Sequence, residues 1–136
     1  MVCVVIDTGI CIVLTLLHSG KSTQVPSFLL EDHLSRGKHC KIYCTEPRRI
    51  SAISLAQRVS RELGDLPGAV GTNTSLVGYS IRLESNTTRN TRLAFVTNGI
   101  ALRMLEGGSG TGGKGTAFDD ITVSDLVFCC VQKLIQ

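Results

Sequence analysis

The sequence predicts an α/β fold, a mostly parallel sheet flanked by helices, and three observations carry that reading. Short apolar runs rich in β-branched residues alternate with longer stretches whose apolar residues recur every three or four positions, the pattern of strand–helix units that build a parallel sheet. The first apolar run leads into Gly20-Lys21-Ser22-Thr23, a strand-to-helix turn of the kind that receives phosphates. No internal repeat interrupts the alternation, and 136 residues amount to about one domain.

The elements follow in order. ICIVLTLL, Ile10 to Leu17, is a continuous apolar run that suits a strand buried on both faces. The N-terminus around it is broken by Asp7 and has no basic leader region, so it is a poor membrane span and a poor signal peptide. Beyond the Gly-Lys turn, Val25, Phe28, Leu29 and Leu34 fall roughly on one helical face, with Gly37 as the stop and Pro26 as an expected kink. CKIYCTE, Cys40 to Glu46, is a second strand. In PRRISAISLAQRVSRELG, Ala52, Ile53, Ala56, Val59 and Leu63 mark a helix that ends at Gly64. After polar turns, LVGYSIRLE and RLAFVT are strand candidates and NGIALRMLE a short helix; Gly107 to Gly115 is a flexible loop. The tail from Phe118 reads equally as strand or helix.

Composition narrows the function classes. A chain that is 43% hydrophobic and 18% charged is globular rather than disordered. Trp is absent and aromatics are 4%, so stacking platforms for bases are not its main device. From Arg36 to Arg61, seven basic residues stand against Glu46 alone, while the chain as a whole is only +3. Such a field suits a polyanion, although a solvated helix face has the same composition. The six cysteines include no C-x-x-C pair and no histidine at zinc-finger spacing, which argues against a metal site and for reduced thiols inside the cell. Asn73 and Asn86 begin glycosylation patterns that are read as chance.

The phosphate-binding pattern G-x-x-x-x-G-K-[ST] is half present. In the window Thr15 to Ser22, Gly20, Lys21 and Ser22 stand where the pattern wants them. Amides at the helix start face phosphates, Lys21 neutralises them, and Ser22 is the Mg²⁺ ligand. Thr15 replaces the opening glycine, however, and Leu16, Leu17 and His18 fill a loop whose tight turns favour glycine. The similar spacing from Gly108 to Thr116 has Gly115 in place of the hydroxyl residue and is read as a surface loop.

TEPRRISAISLAQRVSRE, from Thr45 to Glu62, resembles the Ia segment of the DEAH/RHA family of superfamily 2 RNA helicases, a strand ending in T-x-P-R-R followed by a helix with A-x-R-V-x-E. Thr45, Pro47, Arg48, Arg49, Ala56, Arg58, Val59 and Glu62 match. VGYSIRLE, VTNGIALRML and GKSTQVPSFLLE, including Pro26, are family-like segments in the family's order. The resemblance implies a partial RecA-like P-loop NTPase domain, the first of two, with ATP bound between the two domains and single-stranded RNA across both. By resemblance, Ser19, Gly20, Lys21, Ser22 and Thr23 would bind nucleotide and Mg²⁺, with Ser22 on the metal. Arg48, Arg49, Thr97, Asn98 and Gly99 would hold the RNA backbone, contacts that give register without reading bases. Arg58 and Arg61 are read as a solvated face. Arg82 and Arg103 are as well suited to ion pairs with Glu84 and Glu106 as to RNA.

The family's D-E-x-H motif ends a strand shortly after FDDIT. Here Asp119-Asp120 come before that strand and Asp125 has no Glu beside it, so no catalytic residue is assigned. The second RecA-like domain and its arginine finger, worth roughly 10³–10⁵ in rate in related NTPases, are also missing. The expectation is a helicase-derived region at 19–122 between a divergent 1–18 and a divergent tail at 123–136. Such abrupt edges suggest a truncated or misassembled reading frame. The chain is expected to bind ATP weakly and RNA by its backbone, without hydrolysis or unwinding. It is expected in the cytoplasm or nucleus, with no membrane partner. The alternatives are a nucleic-acid-binding module indifferent to nucleotide, and a non-functional product whose sheet lacks its last strand and exposes an edge.

Overall fold

A computed structural model describes residues 2–6, 10–14, 21–37, 41–107 and 126–130, with side chains from Thr23 to Gly37 and from Lys41 to Met104. Within these residues the chain forms β1 (Val2–Ile6), β2 (Ile10–Leu14), α1 (Lys21–Ser35), β3 (Lys41–Glu46), α2 (Arg49–Glu62), β4 (Val77–Ile81), β5 (Glu84–Asn86), β6 (Leu93–Thr97), α3 (Asn98–Gly107) and β7 (Leu126–Cys130). The α/β fold with a mostly parallel sheet is the one expected.

The main sheet has the order β5-β4-β6-β3-β7. Strands β4, β6, β3 and β7 run parallel, and β5 pairs antiparallel with β4. Connections set the layers. The chain crosses from β3 through α2 to β4 in one direction, and from β6 through α3 to β7 in the other. Right-handed crossovers therefore place α2 and α3 on opposite faces. The core agrees. Ala52, Ala56 and Val59 of α2 pack with Ile42, Cys44, Leu93 and Phe95, together with Leu30 of α1. Ala101 of α3 packs with Tyr43, Ala94 and Val96, the residues of opposite parity on the same strands. Central strands β3 and β6 are buried on both faces, as their unbroken apolar runs require.

Of the expected Ile10 to Leu17 strand, the described part is Ile10–Leu14, and it is half of an antiparallel hairpin with β1, from Val2↔Leu14 to Ile6↔Ile10; β2 also lies close to β7. Pro26, where a kink was expected, lies inside α1, which runs unbroken from Lys21 to Ser35 with the proline ring fully buried. Early in the helix, the missing N–H removes only a bond to the first turn. The ambiguous tail contributes a strand: β7 pairs in parallel with β3 from Lys41↔Leu126 to Thr45↔Cys130. The outer edge of β3 is thus covered, and the bare edge expected there is not found. Residues 15–20 and the Gly108–Thr116 loop lie outside the described residues.

Helix stops follow the glycines, with Gly37 and Gly64 in the left-handed region at φ 65° and 90°, where other residues are strained. No described helix is long and apolar enough to cross a membrane.

Candidate nucleotide and nucleic-acid site

The carboxyl ends of β3 and β6 define the site. They are neighbours in register, Thr45↔Val96 and Glu46↔Thr97, yet the helices that follow them depart to opposite faces. This is a topological switch point, where open α/β sheets hold ligands in the crevice beyond the strand ends. Residues Pro47 to Arg49 leave β3 into α2, and Thr97 to Gly99 leave β6 into α3. The fold therefore brings Arg48, Arg49, Thr97, Asn98 and Gly99 to one edge from positions some fifty residues apart in the sequence.

Local chemistry at this edge favours an anion. Arg48 and Arg49 are exposed and form no ion pair among the described residues. Arg48 occupies the N-cap of α2 in extended conformation (φ −122°, ψ 138°) and provides no side-chain cap. The first amides of α2 therefore lack the partner that Ser, Thr, Asp or Asn would supply. Asn98 and Gly99 are exposed and Thr97 is half-buried. A Cβ at Gly99 would meet nothing within 4 Å, so packing does not demand glycine there, and the open space leaves the backbone approachable. The Thr45 hydroxyl, on a residue only 7% exposed, has no hydrogen-bond partner among the described residues. Sequence reasoning gave it no role, and no pattern in the sequence announces a buried orphan.

The long basic segment does not act as one surface. Arg36 pairs with Asp32 at 2.9 Å and Arg58 with Glu62 at 2.9 Å, each one helical turn apart; Arg58 is thus on a solvated face, as expected. Burial first, and the charge of Arg92 second, lower the Lys41 pKa. Of the two readings for Arg82, the ion pair with Glu84 does not form; Glu84 accepts a hydrogen bond from the Tyr79 hydroxyl at 2.5 Å. Arg103 makes no ion pair among the described residues, and the side chain of Glu106 is outside them.

At the nucleotide end, Lys21 and Ser22 open α1 and Thr23 is buried in its first turn. Ser19 and Gly20 lie outside the described residues. Strand β7 stands where the acidic motif was expected, parallel to β3 and directly after Asp125, but it ends in Cys129 and Cys130. Thiols are soft donors and Mg²⁺ takes hard oxygens. No described cluster of His, Cys, Asp or Glu is suited to a metal ion. The side chain of Ser22 and the carboxylates of Asp119, Asp120 and Asp125 lie outside the residues whose side chains are described.

Over 91 residues the chain is 59% identical to ATP-dependent RNA helicase dhx29 of Xenopus laevis, covering 65% of this chain. Over 117 residues, 85% of this chain, it is 46% identical to DExH-box ATP-dependent RNA helicase DExH6 of Arabidopsis thaliana. The crystal structure of the E. coli DExH-box NTPase HrpB superposes on 96% of the chain with TM-score 0.62 and 25% identity. The chain is homologous to part of the DExH-box RNA helicases. It spans 7% and 8% of the length of the two helicases from Xenopus and Arabidopsis and 18% of the HrpB chain. No protein-family model matches it.

Proposed function

We infer that this chain is the RNA-backbone-binding and nucleotide-binding part of a DExH-box helicase's first RecA-like domain, inactive in hydrolysis and unwinding by itself. The observation that carries this is the meeting of Arg48, Arg49 and Thr97 to Gly99 at the β3/β6 switch point. Guanidinium groups give charge-assisted, bidentate contacts to phosphate, and the amides and hydroxyls at the α3 start fix register. Neither device reads bases, so single-stranded RNA is held without sequence preference. Lys21, with Ser19 to Thr23, contacts the nucleotide phosphates; affinity is weak because Thr15, Leu16, Leu17 and His18 replace the glycine-rich half of the loop. Residues 19–122 remain the helicase-derived region, and RNA as the relatives' substrate supports a location in the cytoplasm or nucleus.

The test is RNA binding across a salt series. Replacing Arg48 and Arg49 by Ala together should lower the slope of log K against log salt by about 1.4, from roughly 0.7 per single-strand phosphate contact, with unfolding unchanged. An unaltered slope would remove these arginines from the interface. A second reading, binding without nucleotide, is favoured by the thiols that end β7. It predicts identical RNA affinity with and without ATP and in Lys21→Ala, whereas a nucleotide-dependent affinity lost in that variant would reject it.

A further inference from the structure

We propose that Ser51 is a phosphoacceptor for a basophilic protein kinase, and that its phosphate switches off the RNA contact of Arg48 and Arg49. The inference rests on the RNA reading above for its consequence, but not for the modification itself. Arg48-Arg49-Ile50-Ser51 places two guanidinium groups three and two residues before a hydroxyl, the arrangement that an acidic kinase groove recognises by charge.

The structure makes this serine available and closes Ser60, while exposed Ser85, three residues after Arg82, has the acidic Glu84 before it and no second arginine. Ser51 is half-buried in the first turn of α2, and its hydroxyl forms no hydrogen bond among the described residues. Pro47, Arg48 and Arg49 are exposed, and Ile50 is 79% exposed. That turn has no side-chain cap and its leading amides bond nothing within the helix, so it can peel open into a kinase cleft while Ala52, Ala56 and Val59 keep the rest of α2 docked. Ser60 also follows an arginine, Arg58, by two residues, but it is 2% exposed and donates to Asp65 at 2.6 Å. It is closed to a kinase.

In the transfer, the Ser51 hydroxyl oxygen bonds to the γ-phosphorus of the kinase's own ATP. The bridging bond to the β-phosphate breaks, ADP leaves, and the hydroxyl proton passes to the kinase's catalytic carboxylate. The product carries about −1.5 to −2 charges at neutral pH. Those charges sit in the first turn of a helix, the favoured end for an anion, beside the two guanidinium groups that otherwise hold RNA phosphate. An intramolecular phosphate next to them has the advantage of effective concentration over one on a separate strand. The modification therefore orders the helix start and competes with RNA for the same cations.

The experiment treats the full chain with a basophilic kinase and ATP, locates phosphate by mass spectrometry, and then measures melting temperature and binding of a single-stranded RNA oligonucleotide. One phosphate at Ser51 is expected, absent in Ser51→Ala, with a raised melting temperature and at least a tenfold loss of RNA affinity. Ser51→Asp should reproduce part of that loss without any kinase. Failure of the folded chain to take phosphate, where a peptide spanning Thr45 to Ala56 is phosphorylated, overturns the proposal. So does a phosphorylated chain that binds RNA as tightly as the unmodified one. An unmodified chain with no RNA affinity overturns the RNA reading and the switch together, while phosphate incorporation still reports separately on Ser51 as an acceptor.

Discussion

At its carboxyl end helix α2 is tied down, and at its amino end it is left open. The carboxyl end closes with Leu63 N–H on the Val59 carbonyl, Gly64 N–H on Arg61 and Asp65 N–H on Ser60, at 2.9, 3.0 and 3.0 Å. The Asp65 carboxylate then accepts from Ser60 at 2.6 Å and from Ser75 at 2.5 Å, and Ser75 Oγ takes the Val77 amide at 3.1 Å. Ser60 and Ser75 are 2% and 1% exposed and Asp65 is half-buried, and this network joins α2 to the start of β4. The amino end has an arginine where a cap would be, and its neighbours face solvent. One helix thus has two unlike ends: hydrogen bonds satisfied within the protein close one, and at the other the leading amides have no side-chain cap.

The contrast can be broken most forcefully at Asp65. Asp65→Ala removes a charged acceptor from two buried hydroxyls, and should cost about 3 kcal/mol in urea unfolding, from the worth of hydrogen bonds to ionised groups. RNA affinity under folding conditions should be unchanged; a loss of affinity in a chain of normal stability would show that the two ends are not separate. Gly64→Ala acts at the same end through the backbone alone. No atom lies within 4 Å of its added Cβ but φ is 90°, so the expected loss is roughly 1–2 kcal/mol, read by the same titration. At the open end the signs should reverse. Arg48→Ser supplies the missing cap and should raise stability by about 1 kcal/mol while weakening RNA binding. If it stabilised the chain and left RNA binding intact, Arg48 would be no contact. The smallest effect is at the α3 start, where Gly99→Ala should gain about 0.5 kcal/mol in thermal unfolding, with weaker RNA binding measured by fluorescence anisotropy.

The same division explains what the sequence discloses. Helices α1, α2 and α3 and strands β3, β4 and β6 were legible because their periodicity reports a buried face, and Gly37 and Gly64 because only glycine suits their φ. The β1–β2 hairpin has a signature in the sequence, Asp7-Thr8-Gly9 between two β-branched runs, but the longer apolar run after it fits a lone buried strand equally well. Strand β5 is three polar residues, Glu84 to Asn86, with no pattern to find. For Leu126 to Cys130, five apolar residues in a row fit either element until β3 supplies a partner. At the candidate site, Arg48 and Arg49 belong to a motif, whereas the lone hydroxyl of Thr45 and the Asp65 network depend on contacts between segments that no local window contains. The splitting of the basic segment was equally hidden, since charge counting cannot tell Arg36, already paired with Asp32, from Arg49.

The pairing of β3 with β7 has a consequence for how the chain comes off the ribosome. Strand β3 sits inside the sheet only because Lys41 meets Leu126 and Thr45 meets Cys130. Until residues 126–130 have been synthesised and have left the exit tunnel, β3 presents a row of free backbone donors and acceptors along one side, flanked by Ile42 and Cys44, both of which end fully buried. Such an edge pairs readily with another nascent chain, and a parallel partner separated by so much sequence arrives late. Translation speed across the glycine-rich stretch before β7 therefore bears directly on yield: slow passage lengthens the interval in which β3 is open to aggregation or chaperone capture.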